Sequence, residues 1–181
     1  MYYNDLGGSY FMTKKVAVLM TDLVEDSEYT VPKDTILEAG YEVEVVSPEG
    51  KVVEGKQGGK FEADVSVADA NAEDYAALLV PGGFSPDVLR GDAEDRPAKF
   101  AKHFLEADKP VFSICHGPQF LIDTGLLKGR NLTSVKNVKT DLINAGADWE
   151  DKSVIVDNNL VTSRTPDDFD DFTKAISEAL K

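Results

Sequence analysis

One short stretch of this 181-residue chain is suited to nucleophilic chemistry. Ser113-Ile114-Cys115-His116-Gly117-Pro118 puts the single cysteine at the end of an apolar run, with a histidine beside it and small residues two positions to either side. A nucleophile on a sharp strand-to-helix turn needs that spacing, because its backbone is strained and bulky neighbours at those positions would collide. A helix N-terminus beneath the sulfur would favour thiolate and lower the thiol pKa. A lone cysteine is most often a buried apolar residue. Strand, turn, small flanks and adjacent histidine together favour a reactive thiol.

Four further groups bear on that thiol. His116 is the candidate base, and a Cys–His pair needs an acid to orient the imidazole. Asp87 follows Pro81-Gly82-Gly83 at another strand's carboxyl end, on the same side of a sheet, although its position before Val88-Leu89 also suits the first turn of a helix. The Gly82-Gly83 pair allows close approach of a ligand, and its amides suit a developing oxyanion. Glu25-Asp26-Ser27-Glu28 closes the first strand; one acid points to the same crevice and another caps the next helix, and spacing does not choose between them. Arg164 is a candidate substrate contact with surface ion pairing as its alternative. His103, beside Lys102 and Phe104, reads as a solvated or packing residue.

The elements that must position these groups alternate. Residues 16–20, 76–80 and 111–114 read as strands buried on both faces, 41–47 as an alternating strand, and 52–63 as a glycine-containing hairpin. Helical patterns cover 28–39, ending at Gly40, then 93–107, 115–124 and 140–145. Strands at 132–135, 153–156 and 160–163 precede a last helix, for which Thr165 is the expected cap and Pro166 the first residue. Buried strands alternating with helices imply an α/β sandwich with a mostly parallel sheet and ligands at the strands' carboxyl ends. Residues 1–11 read as an extension ahead of a single domain over 12–181, since Met12 is followed by Thr13-Lys14-Lys15.

Composition narrows the partners. The chain carries 33 acidic and 19 basic residues, a net charge of −14, and such a surface repels phosphate backbones. No stable nucleic-acid complex is expected, and no apolar run approaches the roughly 20 residues of a membrane span. One cysteine and two histidines leave no multi-cysteine or histidine-rich metal site in one chain. A cytoplasmic protein is expected, with no metal and no cofactor.

The motifs together resemble the PfpI superfamily, which includes intracellular cysteine peptidases, the Parkinsonism-associated deglycase and glutaminase-like domains. The matching pieces are Val24-Glu25-Asp26-Ser27-Glu28, Leu79-Val80-Pro81-Gly82-Gly83, Ser85-Pro86-Asp87-Val88-Leu89-Arg90, Ser113-Ile114-Cys115-His116-Gly117-Pro118-Gln119 and Val161-Thr162-Ser163-Arg164-Thr165-Pro166-Asp167-Asp168. The resemblance runs from Lys14 to Leu180 and implies a three-layer α/β/α sandwich with a flavodoxin-like sheet, as in class I glutamine amidotransferases.

By that resemblance Cys115 is the nucleophile, His116 its partner, and Glu25 the carboxyl group on the sulfur. Asp87 is the acid supplied across subunits, where peptidase-like members carry Glu. The amides of Gly83 and His116 form the oxyanion hole, and Gly82 and Arg164 are candidate substrate contacts. A homo-oligomer, a dimer or a hexamer, follows from the shared triad. The leading expectation is a cofactor-independent, stress-protective enzyme of glyoxalase or deglycase type, acting on methylglyoxal or its early adducts. The alternatives are an intracellular cysteine peptidase or amidase, and a redox-responsive chaperone or sensor without turnover.

Overall fold

The computed structural model describes residues 14–181, so the expected extension over 1–11 lies outside the described residues. In chain order the elements begin β1 (Lys15–Leu19), α1 (Asp26–Glu38), β2 (Glu42–Ser47), β3 (Val53–Glu54), β4 (Lys60–Phe61), β5 (Val65–Ser66) and β6 (Ala77–Val80). There follow α2 (Ser85–Arg90), α3 (Arg96–Glu106), β7 (Val111–Ile114), α4 (Gly117–Leu121), β8 (Asn131–Leu132) and α5 (Lys139–Asn144). The chain ends with β9 (Asp148–Trp149), β10 (Val154–Asp157), β11 (Leu160–Ser163) and α6 (Phe169–Ala179).

Seven strands form one sheet in the order β10-β11-β7-β6-β1-β2-β5. Every pairing is parallel except β10 with β11, the pair joined by the short turn at Asn158. Strand side chains alternate between two cores. Ala17, Leu19, Leu78, Val80 and Val111 face α3 and α4 through Ala101, Phe104, Phe120 and Leu121. Val16, Val18, Leu79, Phe112 and Ile114 face α1 and α6 through Tyr29, Ile36, Phe172 and Ile176. These two cores give the three layers. Phe104, Phe112, Phe120 and Phe172 are fully buried, each stabilising the fold by about 2–3 kcal/mol.

Several boundaries differ from expectation. The strand expected over 132–135 is two residues long (β8) and pairs with β9 outside the main sheet. Thr165 makes no side-chain cap; a 3-10 turn over Pro166–Asp168, closed by the Asp168 amide on the Thr165 carbonyl at 2.9 Å, precedes α6 instead. The helix expected from 28 begins at Asp26, which decides the direction of its acidic side chains. The sheet order reverses between β1 and β6. Parallel strands leave a crevice there, at their carboxyl ends.

Candidate active site

The elbow forms as the small flanks require. Cys115 follows β7 directly and has φ +62°, a left-handed conformation that costs a non-glycine residue about 1–3 kcal/mol. Hydrogen bonds hold it from both sides: its amide donates to the Ser163 carbonyl at 3.1 Å, and its carbonyl accepts from the Val135 amide at 3.0 Å. A Cβ on Gly117 would collide with Ser113 Oγ and lie 2.5 Å from the Val80 carbonyl oxygen. Any larger residue at Gly117 would therefore push the elbow off β6 and β7.

A carboxyl group meets the sulfur, but it belongs to Glu28. Glu25 occupies the N-cap of α1 without a side-chain capping bond, and turns outward to Gln57 at 3.4 Å and Lys56 at 3.6 Å. Glu28 lies one helical turn further on, faces inward and is 1% exposed. Its Oε1 accepts the Gly82 amide at 2.8 Å, and its carboxyl group is in hydrogen-bond contact with Cys115. The assignment of Glu25 to the sulfur is thus corrected to Glu28. The physical reason is the helix start: Glu25 is the extended N-cap ahead of α1 (φ −71°, ψ 111°), so its side chain does not follow the helix, whereas Glu28 lies in the first helical turn on the buried face and reaches the Gly82 amide.

Burial dominates the site's acid–base chemistry. It raises Glu28 to about 8, with neighbouring Glu25 adding to the rise and the Gly82 and Cys115 hydrogen bonds opposing it. Burial also pushes the Cys115 thiol up to about 12, reinforced by the Glu28 charge and opposed by the His116 amide. The expected depression of the thiol by a helix N-terminus is therefore outweighed in the resting site. Burial, and then the Lys56 charge, lower His116, which holds its imidazole neutral near pH 7. His116 Nδ1 lies 3.5 Å from Cys115 Sγ. A buried acid that keeps its proton and a neutral imidazole therefore flank one sulfur.

The glycine pair has two separate duties. Gly82 anchors Glu28; a Cβ there would lie 2.5 Å from Glu28 Oε1. Gly83 has φ +72° and bridges to Val24, with Phe84 N–H on the Leu23 carbonyl and Glu25 N–H on the Gly82 carbonyl. That pattern leaves the Gly83 N–H without an acceptor among the described residues, and the His116 N–H directed at the sulfur.

The cavity over the thiol has a volume of about 150 Å³ and is lined by Glu25, Glu28, Lys56, Gly83, Phe84, Cys115, His116 and Pro166. A second, shallower cavity of about 390 Å³ adjoins it across Gly83, Phe84 and His116. Asp87 is exposed in the first turn of α2 and lines this second cavity together with Gln119, Asn137 and Asp141. The structure thus brings Cys115, His116, Glu28 and Gly83 together and sets Asp87 at the rim. Arg164 lines neither cavity. Its guanidinium binds Asp168 at 2.8 and 2.9 Å and Asp151 at 2.9 Å, so its surface alternative holds and the substrate contact is withdrawn. Among the described residues no three His, Cys, Asp or Glu side chains come together to hold a metal ion.

Sequence reasoning missed Lys56 and Asp26. Lys56 belongs to the hairpin that walls the pocket and Asp26, the first residue of α1, accepts that hairpin's Gln57 and Gly59 amides; the signal was available in Gly55, Gly58 and Gly59, which mark a turn that packs tightly on something. Among the described residues no helix is long and apolar enough to cross a membrane.

Comparison with known proteins bears on the family and the fold. An uncharacterized protein of Staphylococcus haemolyticus is 57% identical over 171 residues, covering 94% of this chain and 99% of its own. A Bacillus subtilis protein named "Putative cysteine protease YraA" is 54% identical, over 94% of this chain and all of its own. Among solved structures, the Drosophila melanogaster DJ-1beta protein superposes with a TM-score of 0.83 at 27% identity, covering 93% of this chain and 90% of its own. A two-domain Anabaena variabilis protein with DJ-1/ThiJ/PfpI-like and ferritin-like domains gives 0.88 at 38% identity; the match covers 93% of this chain and 48% of that one. The DJ-1/PfpI family model matches residues 14–179, and the chain belongs to that family.

Proposed function

We propose that this protein is a cofactor-independent, cysteine-dependent enzyme acting on small reactive aldehydes such as methylglyoxal, or on their early adducts with amines and thiols. The observation that carries the reading is the arrangement at the elbow. A nucleophilic sulfur at φ +62° sits between a buried protonated acid and a neutral imidazole, in a pocket of about 150 Å³. At about 30 Å³ per water molecule that volume suits a compound of a few heavy atoms.

The chemistry follows from the contacts. Cys115 Sγ attacks the aldehyde carbon as its proton passes to His116, and the carbonyl oxygen takes up negative charge opposite the Gly83 and His116 amides. Protonation of that oxygen by His116 completes a hemithioacetal. Loss of the C1 proton to His116 gives an enediolate; return of that proton to C2, with the C1 hydroxyl proton passing to the C2 oxygen, converts it into a thioester of lactate, Glu28 and His116 being the titratable groups at the sulfur. Water then cleaves the thioester and returns the thiol, so one methylglyoxal and one water give one lactate. Product analysis tests the sequence of steps. Lactate formed in equal amount to aldehyde lost agrees with it; loss of aldehyde without lactate contradicts it.

A peptidase or amidase using the same thiol is the second reading, favoured by the adjoining open cavity of about 390 Å³ and by the name of the B. subtilis relative. Cleavage of short fluorogenic peptides that is absent from Cys115→Ser would establish it. Asp87 at the rim is proposed as the acid shared across a homo-oligomer in either reading.

A further inference from the structure

Among the described residues Lys56 is the one lysine or arginine lining the Cys115 pocket, and the steps above give it no role. Its backbone is held firmly. The Asp26 carboxylate accepts the Gln57 amide at 3.0 Å and the Gly59 amide at 2.8 Å, while Lys56 N–H donates to the Val24 carbonyl at 2.9 Å. A Cβ on Gly55 or Gly59 would run into Asp26, so the tip of the β3–β4 hairpin is moulded around that carboxylate. The Lys56 side chain is 33% exposed and lies over the Phe84 ring, Nζ 4.9 Å from its centroid. Its ionic partner is Glu25, at 3.6 Å, too far for a good hydrogen bond. Phe84 and Glu25 are themselves pocket walls. A cation is thus aimed along one wall of a small cavity in a strongly acidic protein, with a loosely held internal counter-ion.

We propose that Lys56 is a substrate-binding residue: its ammonium receives the carboxylate of a small carbonyl compound whose reactive carbon lies a few bonds away, against Cys115, and displaces Glu25 as it does so. Without Lys56, the Glu25 carboxylate on the pocket wall would repel an anion. The inference rests on reading Cys115 as the nucleophile toward small carbonyl compounds and deepens that reading to carboxylate-bearing substrates.

Alkylation of the single cysteine tests the inference without requiring turnover. Iodoacetate and iodoacetamide are close in size and differ in charge. With either, Sγ forms a bond to the methylene carbon, iodide leaves, and the thiol proton goes to solvent. Both consume the same thiolate, so the ratio of their rates, followed by intact mass, cancels changes in thiol acidity. The wild-type ratio should exceed that of 2-mercaptoethanol. It should fall by about tenfold or more in Lys56→Met, the scale of one charge-assisted hydrogen bond, stay high in Lys56→Arg, and rise in Glu25→Gln. A ratio unchanged in Lys56→Met, or a wild-type ratio at or below that of the free thiol, overturns the proposal. The iodoacetamide rate alone reports whether each variant keeps its pocket. If aldehyde turnover fails while these ratios behave as stated, the proposed reaction falls and Lys56 keeps its role.

Discussion

Replacing Glu28 by Gln should flatten the pH dependence of stability in a calculable way. Glu28 is buried beneath the Gly82 amide and titrates near 8 in the fold against an ordinary value of 4.5. Between those values the unfolded chain has released the proton and the folded chain still holds it, so raising the pH favours unfolding. The stabilisation is complete below 4.5 and is lost as the pH passes 8. Each pH unit in that interval is worth roughly 1 kcal/mol or a little more, which gives about 3 kcal/mol between pH 5.5 and 7.5 and about 5 kcal/mol over the whole window. Gln cannot ionise, yet it still offers an oxygen to Gly82 and an N–H to the sulfur. Urea unfolding of reduced wild type and Glu28→Gln at pH 5.5, 6.5, 7.5 and 8.5 measures the difference. His116 is lowered, and its stabilisation fades as the pH falls, but it acts equally in both proteins and cancels. Parallel stability curves for the two proteins would refute the buried, protonated Glu28 on which the site's proton transfers depend.

Other substitutions follow from the same geometry. Gly117→Ala drives a methyl group into Ser113 Oγ and the Val80 carbonyl and should destabilise the fold by about 2–4 kcal/mol, whereas Gly129→Ala, with open space around it but φ +77°, should cost about 1 kcal/mol; thermal unfolding separates them. Asp26→Ala removes the acceptor of the Gln57 and Gly59 amides, so the hairpin tip should loosen and KM for aldehydes rise more than kcat falls. Arg164→Gln should leave kcat/KM within about twofold, because its guanidinium serves Asp151 and Asp168 rather than the pocket.

Much of the fold was legible because parallel strands buried on both faces leave continuous apolar runs. Residues 111–114 and 160–163 carry the expected strands with their expected ends. The elbow was legible for a related reason: Ser113 and Gly117 record a steric requirement that acts over two residues. Glu28 was not separable from Glu25 because both lie in one acidic run, and the choice depends on whether the helix begins at 26 or 28. A shift of that size turns each side chain by about half the helix circumference. The hairpin's part in the pocket was hidden for a different reason. Asp26 meets Gln57 and Gly59 across some thirty residues of chain, and such contacts leave only unexplained glycines in the sequence. Arg164 illustrates the converse, since Asp168 one turn away was visible in the sequence and proved to be its partner.

Cys115 is the group on which the proposed aldehyde chemistry turns. Free methylglyoxal should be followed by its own absorbance, without glutathione and in an amine-free buffer so that reversible adducts cannot mimic turnover. Wild-type protein is compared with Cys115→Ser at equal concentration and verified folding. Catalytic consumption by the wild type that falls at least about a thousandfold in the variant is the result the account predicts, on the scale of losing an enzyme's nucleophile. Equal rates in the two proteins, or no consumption by either, would contradict it.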